Sequence, residues 1–263
     1  MLWRGFGSVI GDSPEYGAES VNRDGIWDLH APYLSTTEPT FVSDGLVLHV
    51  DAADPASYPS SGTTWFDLTD SNYDFTINAS AFNSSGPTYM DFGGSYGAAT
   101  LPSNTSQTGD ITYVLATRIL ESTADWRTLN RGSGTGDHHV IIEAGSYDMG
   151  MYDFTGGTNL QDSGYDQSSL PNFGTSDWII LYFRWSTGGG YKMSYNDTPE
   201  IIRADLSGNS NARYDAGFIA LGMYHVTPSQ YWGDIAMFAM YDRYLTDEEL
   251  LQNYNTLKDR FGL

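Results

Sequence analysis

The chain of 263 residues carries 12 Lys and Arg against 33 Asp and Glu, a formal charge of −21, and a surface of that sign repels nucleic-acid phosphates. Its longest unbroken apolar run, Ile235 to Tyr241, falls far short of the ~20 residues that span a bilayer, and the absence of cysteine excludes disulfides, thiolate metal sites and cysteine nucleophiles. Nucleic acid and membrane insertion are therefore not expected. Of the 33 acids, 25 are Asp and only 8 are Glu, and Lys occurs just 2 times. Helices favour Glu and Lys, whereas Asp collects in turns, where its short side chain bonds nearby backbone. Together with 19 Tyr and 29 Gly, this balance predicts an all-β chain of strands joined by many turns.

Residues 1–42 are rich in glycine and follow no sustained period of 2 or 3.6. Within them Gly25, Ile26, Trp27 and Leu29, with Tyr33 shortly after, form an apolar cluster that so short a polar segment cannot bury by itself. Either the cluster packs on its own domain, or it is the contact by which an extended N-terminal arm holds a partner. Both readings stand on sequence.

Residues 43–263 are patterned differently. Leu46, Leu48 and Val50 alternate with Val47, His49 and Asp51, the period of a half-buried strand, which predicts that the first three share one face. Ile111, Tyr113, Leu115, Thr117 and Ile119 repeat the pattern, and His139 to Ala144 and Met149 to Phe154 read as two strands separated by Gly145-Ser146. Trp178 to Trp185 is almost continuously apolar, as in a central strand covered on both sides. Gly188-Gly189-Gly190 turns the chain into Tyr191 to Tyr195, and Asn196-Asp197 turns it again. Phe218 to Met223 and Ile235 to Tyr241 complete the series. Short strands at this spacing predict a two-sheet antiparallel sandwich. The spacing predicts a helix over 246–261, capped by Thr246 with Glu249 reaching back, striped by Leu250, Tyr254, Leu257 and Phe261, and stopped by Gly262. Its expected place is an edge or end of the sandwich.

Two stretches carry a resemblance. Gly45-Leu46-Val47-Leu48-His49-Val50-Asp51-Ala52-Ala53-Asp54-Pro55-Ala56-Ser57-Tyr58, followed by Thr64-Trp65-Phe66-Asp67-Leu68, resembles the opening of the concanavalin A-like, laminin G-type jelly rolls of tailed-phage structural proteins. Gly233-Asp234-Ile235-Ala236-Met237-Phe238-Ala239-Met240-Tyr241, continuing through Arg243 and Leu245 to Leu250, is similar to the closing strand and helix start of that family. The Gly25-Ile26-Trp27-Asp28-Leu29 element resembles one found at the front of phage virion modules. The resemblance implies a non-catalytic virion protein on the exterior of a phage particle, a head decoration or a tail-fibre component. Its arm would bind capsid, tail or fibre proteins, and it would assemble as a homo-oligomer such as a trimer. A lectin-like adhesin for host-surface polysaccharide is the alternative.

Catalytic chemistry finds little support. Retaining glycosidases need two carboxyl groups about 5–5.5 Å apart, which glycanases of this fold supply as Glu-x-Asp-x-Glu on one strand. No such run occurs, and Glu143 is the nearest substitute. Gly93-Gly94-Ser95-Tyr96-Gly97 matches a hydrolase elbow in letters, but no helical pattern follows. His138 and His139 point to opposite faces of a strand and cannot share a metal. No cofactor is expected apart from calcium, for which Asp51, Asp54 and Asp67 are the candidate ligands; turn-capping is the competing role for each. Trp126, Tyr147, Tyr165, Tyr224 and Tyr231 are the loop aromatics that could stack on a sugar, with core or edge packing as the alternative.

Overall fold

The computed structural model describes residues 40–78, 81–92, 96–99, 110–121, 125–131, 138–152, 160–186, 190–198, 201–203, 219–222 and 231–263. The proposed partner contacts Gly25, Ile26, Trp27, Leu29 and Tyr33 lie outside the described residues, as does Tyr224.

In chain order the strands are β1 Leu46–Asp51, β2 Thr64–Trp65, β3 Phe75–Asn78, β4 Ala81–Asn83, β5 Tyr89–Asp91, β6 Tyr96–Ala99, β7 Ile111–Ile119 and β8 Arg127–Arg131. They continue as β9 His138–Ile142, β10 Asp148–Tyr152, β11 Leu160–Asp166, β12 Ile179–Ser186, β13 Gly190–Tyr195, β14 Ile201–Arg203, β15 Ile219–Leu221 and β16 Gly233–Tyr241, before the helix α1 Asp247–Phe261. One sheet runs β14-β13-β12-β7-β16-β5-β4, with β1 also on β16, and the other runs β11-β10-β9-β8-β15-β6-β3-β2. Every pairing among the described residues is antiparallel, so the fold is a two-sheet jelly-roll sandwich. Gly93 to Ser95 lie outside the described residues, and residues 96–99 are a strand rather than the helix that must follow the serine of a nucleophile elbow.

β16 organises the first sheet. β7 pairs along one side of it, while the other side is divided between β5 at Asp234 and Ile235 and β1 from Met237 to Tyr241. Ile235, Phe238 and Met240 face the second sheet, joining Trp65, Trp232, Tyr113 and Phe183 in the inter-sheet core. Ala236, Met237, Ala239 and Tyr241 face outward into a second core. Ala236 and Met237 share a face because the register against β7 shifts between Ile235 and Met237, the mark of a bulge. A similar shift between Leu46 and Leu48 overturns the expected face for β1. Leu48 and Val50 enter the inter-sheet core with Val47, whereas Leu46 packs into the outer one.

The helix corrects a second expectation. It does not close an edge or end but covers the outer face of β7, β12 and β16, a third layer on the sandwich. Leu250, Leu257 and Phe261 pack there with Val114, Ile180 and Tyr182, and Ala116, Ala236 and Ala239 leave room for the helix to approach. Its start is the expected capping box, with the Thr246 hydroxyl accepting from the Glu249 backbone N–H and the Glu249 carboxylate accepting from Thr246 N–H. Gly262 ends it at φ 72, in the left-handed region. Three arginines fasten it to the sandwich: Arg184 to Asp247, Arg243 to Glu249 and Arg260 to Asp51.

Residues 40–42, which the composition break places in the arm, also pack on this layer. Buried Asn253 accepts from Val42 N–H at 2.8 Å and donates to the Tyr241 hydroxyl at 3.1 Å, which itself donates to Val42 C=O at 2.8 Å. Phe41 stacks on His49 with ring centroids 5.1 Å apart.

Two outcomes follow from this packing. A Cβ on Gly150 of β10 would sit 2.0 Å from the Gln161 carbonyl oxygen of β11. Gly150→Ala is therefore expected to cost about 3 kcal/mol, read as a lower urea midpoint, and an unchanged midpoint would contradict that close strand approach. The Arg243 hydrogen bonds hold the Glu249 carboxyl below its ordinary pKa of 4.5. That stabilisation is complete above the ordinary value and is lost as pH falls through the lower folded one. Glu249→Gln keeps a capping side chain but is expected to flatten this part of the acid melting profile, whereas Glu249→Ala should lose about 1 kcal/mol more.

Candidate functional site

The three aspartates considered for calcium are spent on the scaffold. Asp67 Oδ1 accepts from His49 N–H at 2.9 Å and Thr69 N–H at 3.0 Å, and its Oδ2 accepts from the Thr69 hydroxyl at 2.8 Å and Tyr73 N–H at 3.0 Å. Four donors fill one carboxylate. Both Asp51 oxygens meet the Arg260 guanidinium, at 2.6 and 2.8 Å, and Oδ1 also caps Ala53 N–H. Asp54 caps Ala56 N–H at 2.8 Å. The positive charge at this rim is thus an arginine from α1, and the role observed for all three is turn-capping. Burial pushes the neighbouring His49 pKa down in spite of the nearby Asp51, Asp67 and Asp54 carboxylates, so its neutral form belongs to the fold.

Glu143, the nearest substitute for a glycosidase acid, accepts a 2.8 Å hydrogen bond from Ser146 within the β9–β10 turn. Of the loop aromatics, Tyr165 is 8% exposed and belongs to the inter-sheet core, edge-on to Tyr195. It is not a surface platform; the alternation of β11 turns it inward. Trp126 stands edge-on to Tyr152, and Tyr147 edge-on to Phe173 with the Arg127 guanidinium 5.6 Å from its ring centroid. Trp126, Tyr147 and Tyr231 remain half-buried.

A groove that sequence reasoning did not single out lies on the helix-bearing face. It holds about 260 Å³ between the first turn of α1 and the β12–β13 pair, and Tyr182, Ser194, Asn196, Asp197 and Leu251 are among its walls. The β12 residues enter it because alternate side chains of a strand face the same way. Arg184 fixes one end, donating to Leu245 C=O and to Asp247 Oδ1, each at 2.6 Å, with its guanidinium 4.5 Å from the Tyr244 ring centroid. Asn196, in the turn that follows β13, fixes the other end, its Oδ1 accepting from Ile180 N–H at 2.9 Å and its own N–H donating to Ile180 C=O at 2.7 Å.

Tyr182 is 1% exposed, and its hydroxyl has no hydrogen-bonding partner among the described residues. A buried hydroxyl left so costs about 1–3 kcal/mol. Burial, reinforced by the nearby Tyr254, Asp197 and Tyr241, drives its pKa well above the ordinary phenol value, so it stands as a neutral O–H. The only signal in the sequence was a polar tip within the apolar run from Trp178 to Trp185.

No family model and no curated protein sequence matches the chain. Among solved structures the sandwich is similar to receptor-binding domains of botulinum neurotoxins. The receptor-binding domain of the C/D mosaic serotype superposes with a TM-score of 0.60 at 15% identity, covering 81% of this chain and 51% of that one. The binding domain of neurotoxin DC gives 0.57 at 15% identity in its complex with rat synaptotagmin II, covering 81% and 52%. In its complex with SialylT the same domain gives 0.56 at 14% identity, again over 81% and 52%. The chain therefore spans about half the length of these relatives in fold, and at this identity the likeness is one of architecture.

The spent carboxylates generate a direct expectation. Asp67→Ala removes the acceptor of four hydrogen bonds and should cost about 2–4 kcal/mol, with a melting temperature equally low in calcium and in chelator. Calcium-dependent stabilisation of the unmutated chain that Asp67→Ala abolishes would return Asp51, Asp54 and Asp67 to the role of metal ligands.

Proposed function

We propose that the protein is a non-catalytic, adhesin-like recognition module that binds host-surface polysaccharide and is carried on the exterior of a tailed-phage particle. The observation that carries the reading is the use of its acids: the described carboxylates considered for catalysis or metal binding cap turns and hold arginines, which leaves a rigid scaffold and an uncommitted surface. The shared sandwich of neurotoxin binding domains, one of them in complex with SialylT, supports recognition as the task of such a scaffold. The virion setting rests on the paired stretches Gly45 to Tyr58 and Gly233 to Leu250. In that setting Gly25, Ile26, Trp27, Leu29 and Tyr33 engage capsid, tail or fibre proteins, and a homo-oligomer, such as a trimer, lets weak contacts act together.

A glycan array probed with the full chain should show saturable binding to a subset of polysaccharides, unchanged by chelator and without release of reducing sugar. Silence across the array, or sugar release abolished by Glu143→Gln, would overturn recognition without catalysis. Deletion of residues 1–38 spares the Phe41 and Val42 contacts. It should leave glycan binding intact and prevent incorporation into particles, whereas normal incorporation would overturn the anchoring role.

A further inference from the structure

We propose that the groove between α1 and the β12–β13 pair is a binding site for one neutral, polyhydroxylated ring, a single sugar residue, with the Tyr182 hydroxyl as its buried contact. The inference deepens the recognition reading above and rests on it. Ligand pockets for drug-sized molecules run roughly 300–1,000 Å³, so a groove of about 260 Å³ suits one ring rather than an extended chain.

The walls supply the complementary chemistry. Tyr182 lies beneath the groove and offers a neutral O–H that has no partner among the described residues and is closed over in the free protein. Ser194, Asn196 and Thr198 add short polar side chains, and the Asp197 and Asp247 carboxylates accept from ring hydroxyls. Leu251, 50% exposed, presents an apolar surface for the C–H face of a ring. Two carboxylates at the rim, on a chain of charge −21, disfavour an acidic sugar. Arg184 and Asn196 are pinned at the two ends of the groove, which confines the rearrangement on binding to the walls between them and limits its cost. A ring hydroxyl that reaches Tyr182 as the side chains closing over it give way satisfies a group without a partner among the described residues, a gain that an exposed surface hydroxyl cannot give.

The test is a titration of the full chain, isotopically labelled, with glucose, galactose, N-acetylglucosamine, N-acetylneuraminic acid and putrescine, followed by amide NMR and by melting temperature. At least one neutral sugar should shift the amides of Asn196, Asp197 and Leu251 with a Kd of about 1 mM, and the acidic sugar and the diamine should not. Tyr182→Phe keeps the ring and removes only the hydroxyl; it should weaken binding about tenfold while melting at the same or a higher temperature. A merely structural tyrosine would move the melting temperature and not the affinity. Leu251→Glu, at an exposed position, should abolish binding and serves if Tyr182→Phe fails to fold. Equal affinity in these variants, no shift with any neutral sugar, or a response to putrescine alone overturns the site. If the full chain still binds polysaccharide on the array in that event, the recognition reading survives and only its location is wrong; if neither binds, both fall.

Discussion

β7, β12 and β16 carry apolar side chains on both faces, and neither face can be left to water. At about 25 cal/mol per Å² of apolar surface, each must be covered for the sheet to persist. The second sheet covers one, with Trp65, Trp232 and Phe238 among the residues fully enclosed. A single helix covers the other, and the arrangement of the remaining charge follows from that need. Arg184, Arg243 and Arg260 hold the helix at both ends, and alanines on the strands let it settle close. In a chain with only 12 basic residues, this is a large commitment of positive charge to one element.

A cover one helix wide cannot reach the whole outer face. Its first turn stops beside the β12–β13 pair, and the groove is what that shortfall leaves. Tyr182 lies where the covered and uncovered regions meet. Its ring belongs to the apolar cluster beneath the helix, while its hydroxyl finds nothing to bond among the described residues. In the proposed site, recognition and stability share a residue. The same face also carries a stack in which the Arg118 guanidinium lies 4.7 Å from the ring centroids of both Tyr89 and Trp178 and bonds Asp234, so the outer layer is ordered well beyond the helix.

The elements most legible in the sequence were those whose local chemistry is self-contained. Thr246, Glu249 and Gly262 announce both ends of α1, and the alternation from Ile111 to Ile119 gives the faces of β7 correctly. Bulges were not legible. In Ile235 to Tyr241 every residue is apolar, so a one-residue slip leaves no trace in the pattern, and in β1 Val47 is as good an inward residue as Leu46. β11 was missed because Leu160-Gln161-Asp162-Ser163-Gly164-Tyr165-Asp166 has the composition of a loop; its strand character comes from pairing with β10. The helix was read correctly but set in the wrong place, since a stripe of Leu250, Leu257 and Phe261 says that something is covered and not what. The groove joins two strands, a turn and a helix start, and no local stretch could display it.

Val42 lies close to where the described chain begins, and its backbone N–H and C=O are both held by residues from the far end of the sequence, Asn253 and Tyr241. Directly after it, β1 lies antiparallel along β16 from Leu46 to Asp51. Tension arriving through residue 40 thus meets the Val42 knot first. Beyond the knot it runs along β1, at right angles to the ladder bonds, which must then give way together in shear instead of unzipping one by one. A tether joined at this point can bear load without opening the body that it carries.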